Sequence, residues 1–281
     1  VMKGIDKFAF LLIVVSGLFT YFFGDDRDGF DDRRPSPERF EVVPDRPSGP
    51  RRPLPDQSDR DPVFVVAPSQ KSDSTGTAFS VNDSGFWLTA KHVTHGCDRI
   101  ALVRPDRKLV RVVDVIEHPR ADVSVIRTSG GVASLGLRAG NLEIGEDGYM
   151  FGFPQGRPGD VHAQLMGRAR SVTRQGRINS EPVIAWTEMR RMPDLSGSLG
   201  GLSGGPVVDA TGQIVGVVSS ESARRGRVMT AAPVSVREVL QLARTTARPE
   251  TAIRPGPETF GTIGDRLRQT QIVAQVYCDV L

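Results

Sequence analysis

From residue 63 onward the chain is a succession of short β-rich runs separated by turn residues, and no other feature constrains its fold as strongly. Val, Ile, Phe and Thr favour strands, whereas the Gly, Pro, Asn and Asp residues between the runs favour turns. The predicted strands form two sets around a Gly-rich bridge, near residues 63–67, 76–81, 85–90, 99–103, 109–117 and 122–127, then 148–153, 161–173, 183–188, 206–209, 213–219 and 227–231. About six strands in each set predict an all-β protein of two six-stranded antiparallel barrels, at about 63–130 and 140–232.

A helix is predicted directly after the second set of strands, over about residues 234–246. Apolar residues recur there at i, i+3, i+4 and i+7, which gives the helix one apolar face. These residues are Val236, Val239, Leu240 and Ala243. The strands and this helix predict one folded domain over 63–247, and we expect 248–281 to be a tail containing one short helix over about 263–280.

Residues 8–23 form an apolar run without charge, with Lys3 and Lys7 before it and acidic residues directly after it. A helix of this length would span about 24 Å, slightly less than the ~30 Å hydrocarbon core of a bilayer. We predict that residues 1–24 are a transmembrane signal-anchor, with a cleaved signal peptide and a buried core helix as the alternatives. Lys and Arg residues occur on both sides of the run, so the sequence leaves its orientation open.

Residues 25–62 are dominated by Asp, Arg and Pro. Such a segment buries too little apolar surface to offset the entropy lost on ordering. We therefore predict a disordered linker, which its prolines keep extended as a stalk.

Composition argues against several other classes of protein. The net charge of +3 is spread along the chain, and aromatic residues make up only 6%, so no nucleic-acid partner is predicted. Cys97 and Cys278 are far apart and lack metal-ligand spacing, so neither a metal nor a cofactor is predicted. Two free thiols are favoured over a disulfide, because nothing in the sequence brings these cysteines together.

The clearest chemical signal is Gly-Leu-Ser-Gly-Gly-Pro at residues 201–206. A serine hydroxyl becomes a good nucleophile only when a base takes its proton and donors stabilise the oxyanion. Glycines let the backbone turn sharply around Ser203 and direct adjacent N–H groups into one small space. We predict Ser203 as nucleophile and the N–H groups of Gly201 and Ser203 as oxyanion donors. The alternative is a Gly-rich turn in a binding domain.

Two further motifs supply a base and a carboxylate that could orient it. His92 follows the predicted strand at 85–90, and Asp122 opens an apolar strand. A buried carboxylate there would hold the imidazole in the tautomer that accepts the serine proton. A structural histidine and a turn-capping aspartate are the alternatives. His95 is the competing histidine and is interpreted as a surface residue. The two remaining histidines are interpreted as strand or loop residues and are His118 and His162.

The motifs TAKHV, ADVSVI and GLSGGP occur in the order His, Asp, Ser, the order of chymotrypsin. In these motifs the sequence resembles the chymotrypsin-like (trypsin-like) serine protease family over roughly residues 62–243. It looks closest to bacterial envelope proteases, including the high-temperature-requirement group. The resemblance implies a cleft between two barrels, with His92 and Asp122 in the first barrel and Ser203 in the second. A PDZ domain, usual in that group, is not expected, because too few residues follow Ala243.

The chain departs from the family pattern beside two of the motifs. Leu202 precedes the serine where zymogen-type relatives carry Asp, so we predict activity without amino-terminal activation. Val93 stands where the family has a cysteine. The segment before the serine, residues 190–200, is interpreted as a mobile activation or specificity loop.

By the same resemblance, Gly197 would lie at the base of the primary pocket, which would then carry no charge for an Arg or Lys side chain. Glu221 either supplies such a charge or points to solvent. The pocket wall is predicted to contain Ser219, Ser220 and Glu221.

These observations predict a serine endopeptidase that cleaves polypeptides through an acyl-enzyme while tethered to a membrane. Its catalytic domain is expected on the extracytoplasmic side, in the periplasm if the source is bacterial. One alternative is a catalytically silent protease-fold protein that serves as a binding or scaffold module of the cell envelope. Another is a structural protein in which GLSGGP is only a turn. No oligomeric state is predicted.

Overall fold

The computed structural model describes residues 50–66, 72–175, 177–194, 196–222 and 226–281, without the side chains of 173–179. The predicted anchor at 1–24 and most of the predicted linker at 25–62 lie outside these ranges. Within the described residues, no helix combines the length and apolar character needed to cross a membrane.

Strands account for most of the described chain, which confirms the all-β prediction. Their bounds are β1 Arg52–Pro53, β2 Val63–Val66, β3 Ser74–Ser80, β4 Phe86–Thr89, β5 Arg99–Val103, β6 Leu109–Arg111, β7 Asp114–Glu117, β8 Ser124–Arg127, β9 Glu143–Ile144, β10 Asp147–Gly152, β11 Gly159–Gln175, β12 Arg177–Met192, β13 Pro206–Val208, β14 Ile214–Ser222, β15 Arg227–Ala231 and β16 Val273–Asp279. The helices are α1 Lys91–Thr94, α2 Pro233–Leu242 and α3 Phe260–Gln269, and Pro154–Gly156 forms a 3₁₀ turn.

The second set of strands forms a closed barrel, as predicted. Its order is β10, β13, β14, β15, β12 and β11, and pairing between β10 and β11 closes it. Alternate residues of these strands point inward, and the interior is filled by large apolar side chains. Fully buried examples are Met150, Leu165, Trp186 and Val207.

The first set of strands does not form the predicted six-stranded barrel. It forms a seven-stranded curled sheet in the order β6, β5, β16, β3, β4, β8 and β7. The sheet stays open, because no pairing joins β6 to β7 in the part of the chain that is described. Strand β2, expected in this set, instead pairs in parallel with β11 of the barrel.

The C-terminal tail is part of this curled sheet, which corrects the predicted domain end at residue 247. Helix α3 ends at Gln269, and β16 then inserts between β3 and β5. A helix over 263–280 is therefore wrong for its second half. Val276 and Cys278 are buried while Tyr277 between them is exposed, the alternation of a strand. Cys278 forms a disulfide with Cys97, so the prediction of free thiols is also wrong.

The end of the predicted linker packs on the barrel. Strand β1 pairs with β9, and the Leu54 N–H donates to the Leu142 carbonyl at 2.8 Å. The Leu54 side chain is buried among barrel residues. One leucine in a Pro-rich segment thus gives residues 52–54 an apolar anchor, and the stalk interpretation does not hold there.

The curled sheet and the barrel share one hydrophobic core. Phe79 and Val125 of the sheet pack in the same cluster as Phe151 and Val217 of the barrel. Helix α2 covers this cluster with the predicted apolar face, since its buried residues include Val236, Val239 and Leu240. The two sheets are therefore joined by a shared layer of buried apolar side chains.

Candidate active site

His92 lies on the single helical turn α1, directly after β4 of the curled sheet. Ala90 before this turn and Val93 within it are fully buried, so the backbone around His92 is fixed. The His92 side chain itself is half-buried, with 34% of its surface exposed. The backbone that carries the ring is therefore fixed, while the ring itself is partly accessible to solvent.

Asp122 holds His92 at two points. Its Oδ1 accepts the His92 backbone N–H at 2.9 Å, and its Oδ2 lies 2.7 Å from His92 Nδ1. A carboxylate only accepts, so Nδ1 carries the proton that is shared with Asp122. Nε2 on the other side of the ring is then left as a proton acceptor.

Ser219 is a further hydrogen-bond donor to the Asp122 carboxylate. Its hydroxyl donates to Asp122 Oδ2 at 2.8 Å. A register shift between Val218 and Ser220 interrupts the β14–β15 pairing at this residue. Such bulges redirect a side chain, and here the redirected hydroxyl meets the carboxylate. The sequence predicted Ser219 only as pocket wall.

The pKa values of this pair move in opposite directions. Burial by itself would raise the pKa of Asp122, but the nearby His92 and the hydrogen bonds from His92 and Ser219 outweigh it, and the pKa lies below its usual value. Burial would likewise lower the pKa of His92, but Asp122 outweighs it and the pKa is raised. The site therefore favours an ionised carboxylate beside a basic imidazole.

The loop of Ser203 is held by main-chain hydrogen bonds. The Ser203 carbonyl accepts the Thr77 N–H at 2.8 Å, and the Gly204 N–H donates to the Val218 carbonyl at 2.7 Å. Leu202, which replaces the aspartate of zymogen-type relatives, is fully buried in the barrel core. The serine is thus presented on a rigid turn.

Glycine is required at two positions in this loop. Gly201 has φ +95° and Gly204 has φ +87°, in the left-handed region that favours glycine. A Cβ at Gly204 would also overlap the Thr77 carbonyl oxygen and lie 2.9 Å from Ala90 N. The Ser203 loop of the barrel therefore touches the chain segment that carries His92.

The predicted oxyanion donors have a fixed orientation. The carbonyls that share their peptide units are both hydrogen-bonded: the Gly200 carbonyl accepts the Gln155 N–H at 2.5 Å, and the Leu202 carbonyl accepts the Gly205 N–H at 2.8 Å. Within the described residues, neither the Gly201 N–H nor the Ser203 N–H donates to a backbone carbonyl. Both groups are therefore available to an external acceptor.

The predicted pocket residues lie around the segment before the serine. Gly197 is exposed, and its carbonyl accepts from Arg191 Nη1 at 2.7 Å. Glu221 does not point to solvent, because both carboxylate oxygens lie 2.8 Å from the Leu199 N–H and one also accepts the Ser198 hydroxyl. Glu221 thus braces the loop, and its role toward substrate stays a prediction.

The segment before the serine, residues 190–200, is held by more hydrogen bonds than its sequence suggested. The Gln155 side-chain amide donates to the carbonyls of Ser196 and Ser198, both at 2.9 Å. The Gln155 N–H also donates to the Gly200 carbonyl at 2.5 Å. Hydrogen bonds of this kind reduce the freedom expected of a mobile loop.

The other histidines each contact a nearby carboxylate. His95 is exposed and pairs with Glu117 at 3.0 Å. His118 pairs with Glu238 of α2 at 2.9 Å. The last of them, His162, lies against Asp147. In the part of the chain that is described, no group of three potential metal ligands occurs.

The fold is a closed barrel beside a curled sheet, and a histidine–aspartate pair lies next to a glycine-rich serine loop. This combination defines the chymotrypsin-like serine protease class. A family model described as Trypsin-like peptidase domain matches residues 76–217. The chain belongs to this family, which confirms the resemblance noted in its sequence.

Named relatives are similar to part of the chain. A protein of Hahella chejuensis named probable periplasmic serine endoprotease DegP-like is 29% identical over 164 residues, 57% of this chain and 32% of the relative. A protein of the same name from Pseudomonas fulva is 28% identical over 174 residues, 59% of this chain and 34% of the relative. The chain thus spans about a third of the length of the curated relatives it matches.

One solved structure has a similar fold. The active form of the Rv3671c protease from M. tuberculosis aligns with a TM-score of 0.50 at 17% identity, over 70% of this chain and 95% of that one. At this level of identity the likeness concerns the architecture alone.

Proposed function

We propose that this chain is a serine endopeptidase that cleaves polypeptides through an acyl-enzyme. Ser203 is the nucleophile, His92 the general base and Asp122 the residue that orients His92. The observation that carries the proposal is the double attachment of His92 to Asp122, at 2.9 and 2.7 Å, beside the loop of Ser203.

The proposed reaction begins when His92 Nε2 takes the proton of the Ser203 hydroxyl. The serine oxygen attacks the scissile carbonyl, and the imidazolium that forms is stabilised by the Asp122 carboxylate. The imidazolium then gives its proton to the leaving amine, and water releases the acyl group by the same route.

The oxyanion of the tetrahedral intermediate would bind the N–H groups of Gly201 and Ser203. Removal of one such donor typically lowers kcat by about 10²–10³. The hydrogen bonds from the Gln155 N–H to the Gly200 carbonyl and from the Gly205 N–H to the Leu202 carbonyl support this assignment, because they orient the two peptide units that carry these N–H groups.

We further propose that Gly197, Ser220 and Glu221 flank a primary pocket for an uncharged side chain. The Glu221 carboxylate is already engaged by the Leu199 N–H, which leaves it poorly placed to bind a substrate cation. Both of its oxygens already accept hydrogen bonds, which leaves fewer lone-pair sites for a substrate cation.

A fluorophosphonate probe tests the enzymatic assignment, because it labels a serine that a neighbouring base activates. We expect wild type to be labelled and Ser203→Ala to be unlabelled. Ser84→Ala is the matched control, since Ser84 is an exposed serine that bonds only to its neighbour Asp83 and to Asn82 among the described residues. Labelling that survives in Ser203→Ala would refute the assignment. A peptide library then gives the cleavage preference.

The proposal includes a membrane tether formed by the apolar run at residues 8–23 and an extracytoplasmic catalytic domain. The Cys97–Cys278 disulfide supports an oxidising compartment, and the relatives from Hahella chejuensis and Pseudomonas fulva are named periplasmic. We expect the full chain to remain with membranes after carbonate extraction and a chain lacking residues 1–24 to be released. Release of the full chain would contradict the tether.

A further inference from the structure

Glu181 lies outside every motif of the sequence, yet it contacts the candidate site. It lies on β12, and β12 pairs with β15 only from Val183 to Thr187. Glu181 therefore occupies the part of the β11–β12 hairpin that extends beyond the barrel wall. From there its carboxylate accepts the Asp122 N–H at 2.5 Å, across 59 residues of sequence.

We propose that Glu181 is a positioning residue for the His92–Asp122 pair. Its carboxylate holds the Asp122 main chain from the barrel side, and its negative charge strengthens the basicity of His92. The inference rests on the proposed function for the catalytic roles of His92 and Asp122.

The side chain and the main chain of Asp122 are held by different partners. The Asp122 side chain is held by the His92 N–H, His92 Nδ1 and the Ser219 hydroxyl. Its main-chain N–H is held by Glu181 alone among the described residues. A hydrogen bond to a carboxylate is stronger than one between neutral groups, so loss of Glu181 would free the main chain of Asp122.

The turn that leads into Asp122 is supported on its other side. His118 Nδ1 accepts the N–H groups of Arg120 and Ala121, and Lys91 Nζ donates to the His118 carbonyl at 3.0 Å. These contacts fix the turn within the curled sheet, whereas Glu181 ties it to the barrel. Glu181 is therefore a direct link between the two sheets at the site.

Electrostatics gives Glu181 a second effect. Burial and the adjacent Asp122 carboxylate raise the pKa of Glu181 to about 7, while His92 and Lys91 act to lower it. Among the described residues, these three are the charged groups that act on the pKa of Glu181. When Glu181 is ionised, its charge favours the imidazolium form of His92 and so raises the pKa of His92.

Glu181→Gln separates the two effects, because glutamine keeps the acceptor oxygen and loses the charge. The His92 imidazole is titrated by NMR in a Ser203→Ala background, with its signal assigned by its absence in His92→Gln. We expect the pKa of His92 to be lower in Glu181→Gln by about 0.5–1 pH unit. The acidic limb of kcat/KM should move to lower pH by the same amount.

Glu181→Ala removes the acceptor as well as the charge. We expect the same displacement of the acidic limb and, in addition, a roughly tenfold lower kcat with little change in KM, because the Asp122 main chain loses its anchor. The matched control is Glu258→Gln, which removes one charge from a side chain that is 84% exposed. It should leave the pKa of His92 unchanged.

An identical pKa of His92 in wild type and Glu181→Gln would overturn the proposal, even if Glu181→Ala fails to fold. The NMR readout requires no turnover. It therefore remains informative if probe labelling shows that Ser203 is not the nucleophile, and failure of the proposed function is distinguished from failure of this inference.

Discussion

At the scale of single residues, Asp122 joins the two halves of the molecule. Its carboxylate accepts from His92 of the curled sheet and from Ser219 of the barrel, which lies 97 residues away. Both contacts stabilise the ionised carboxylate, and the pKa of Asp122 is lowered accordingly. The orientation of His92 thus depends on side chains from both sheets.

Replacement of Ser219 tests this dependence. We expect Ser219→Ala to lower kcat/KM by about 10- to 100-fold, because a hydrogen bond to a charged group contributes about 1.5–3 kcal/mol. Asp122→Asn should lower kcat by about 10⁴, since the amide favours the wrong tautomer of His92. Steady-state kinetics on a cleaved peptide gives both values. Wild-type kinetics in Ser219→Ala would show that the Ser219 hydroxyl is dispensable.

Glu221 provides a second test among single residues. Glu221→Ala removes the acceptor of the Leu199 N–H and frees the loop directly before Gly201. We expect kcat to fall about tenfold for all peptides, as the oxyanion donors lose alignment. If Glu221 instead binds a substrate cation, only cleavage after Arg or Lys would decline. The same peptide library, run on both forms, distinguishes the two outcomes.

The sequence predicted those candidate residues that lie in short, recognisable motifs. His92 and Asp122 each occur in a short motif at the border of a strand, and the structure brings them together. Ser219 and Glu181 carry no such signal, because their link to Asp122 depends on a bulge in β14 and on a long hairpin. Tertiary contacts of this kind have no counterpart in sequence spacing.

At the scale of elements, α3 is fastened to the barrel by a buried ion pair. Arg268 donates to both carboxylate oxygens of Asp160 in β11, at 2.6 and 2.9 Å. The Asp160 side chain is 1% exposed, so Arg268 is its essential partner. The hydrophobic periodicity of the sequence predicted α2 and the barrel strands. Strand β16 was not predicted, because the segment was interpreted as a helical tail and its pairing depends on β3 and β5, which lie far away in the sequence.

Removal of Arg268 leaves Asp160 buried without its counter-charge. We expect Arg268→Met to lower the free energy of unfolding by about 3–5 kcal/mol. Asp160→Asn combined with Arg268→Met should recover part of this loss, since no buried charge remains. Urea denaturation followed by circular dichroism measures both variants. Equal midpoints for Arg268→Met and wild type would exclude a stabilising role for the pair.

At the scale of the whole molecule, the C-terminal segment connects the two halves of the fold. Helix α3 packs on the barrel through Arg268, and β16 then supplies a central strand of the curled sheet. The disulfide ties this strand to Cys97, in the loop that follows His92. The position of the loop that follows His92 therefore depends on β16, near the C-terminal end of the sequence.

A chain ending at residue 247 tests this architecture, because it keeps every predicted catalytic residue. Without β16, strands β3 and β5 lose their shared partner, and the backbone groups that paired with it become unsatisfied edges. We expect this truncated chain to aggregate or to lack a cooperative unfolding transition, and to be unlabelled by the fluorophosphonate probe. A chain lacking only Leu281, whose side chain is 81% exposed, should fold and react as wild type does. Labelling of the chain that ends at residue 247, together with a cooperative unfolding transition, would show that the curled sheet forms without its C-terminal strand, and that the site needs only the elements before it.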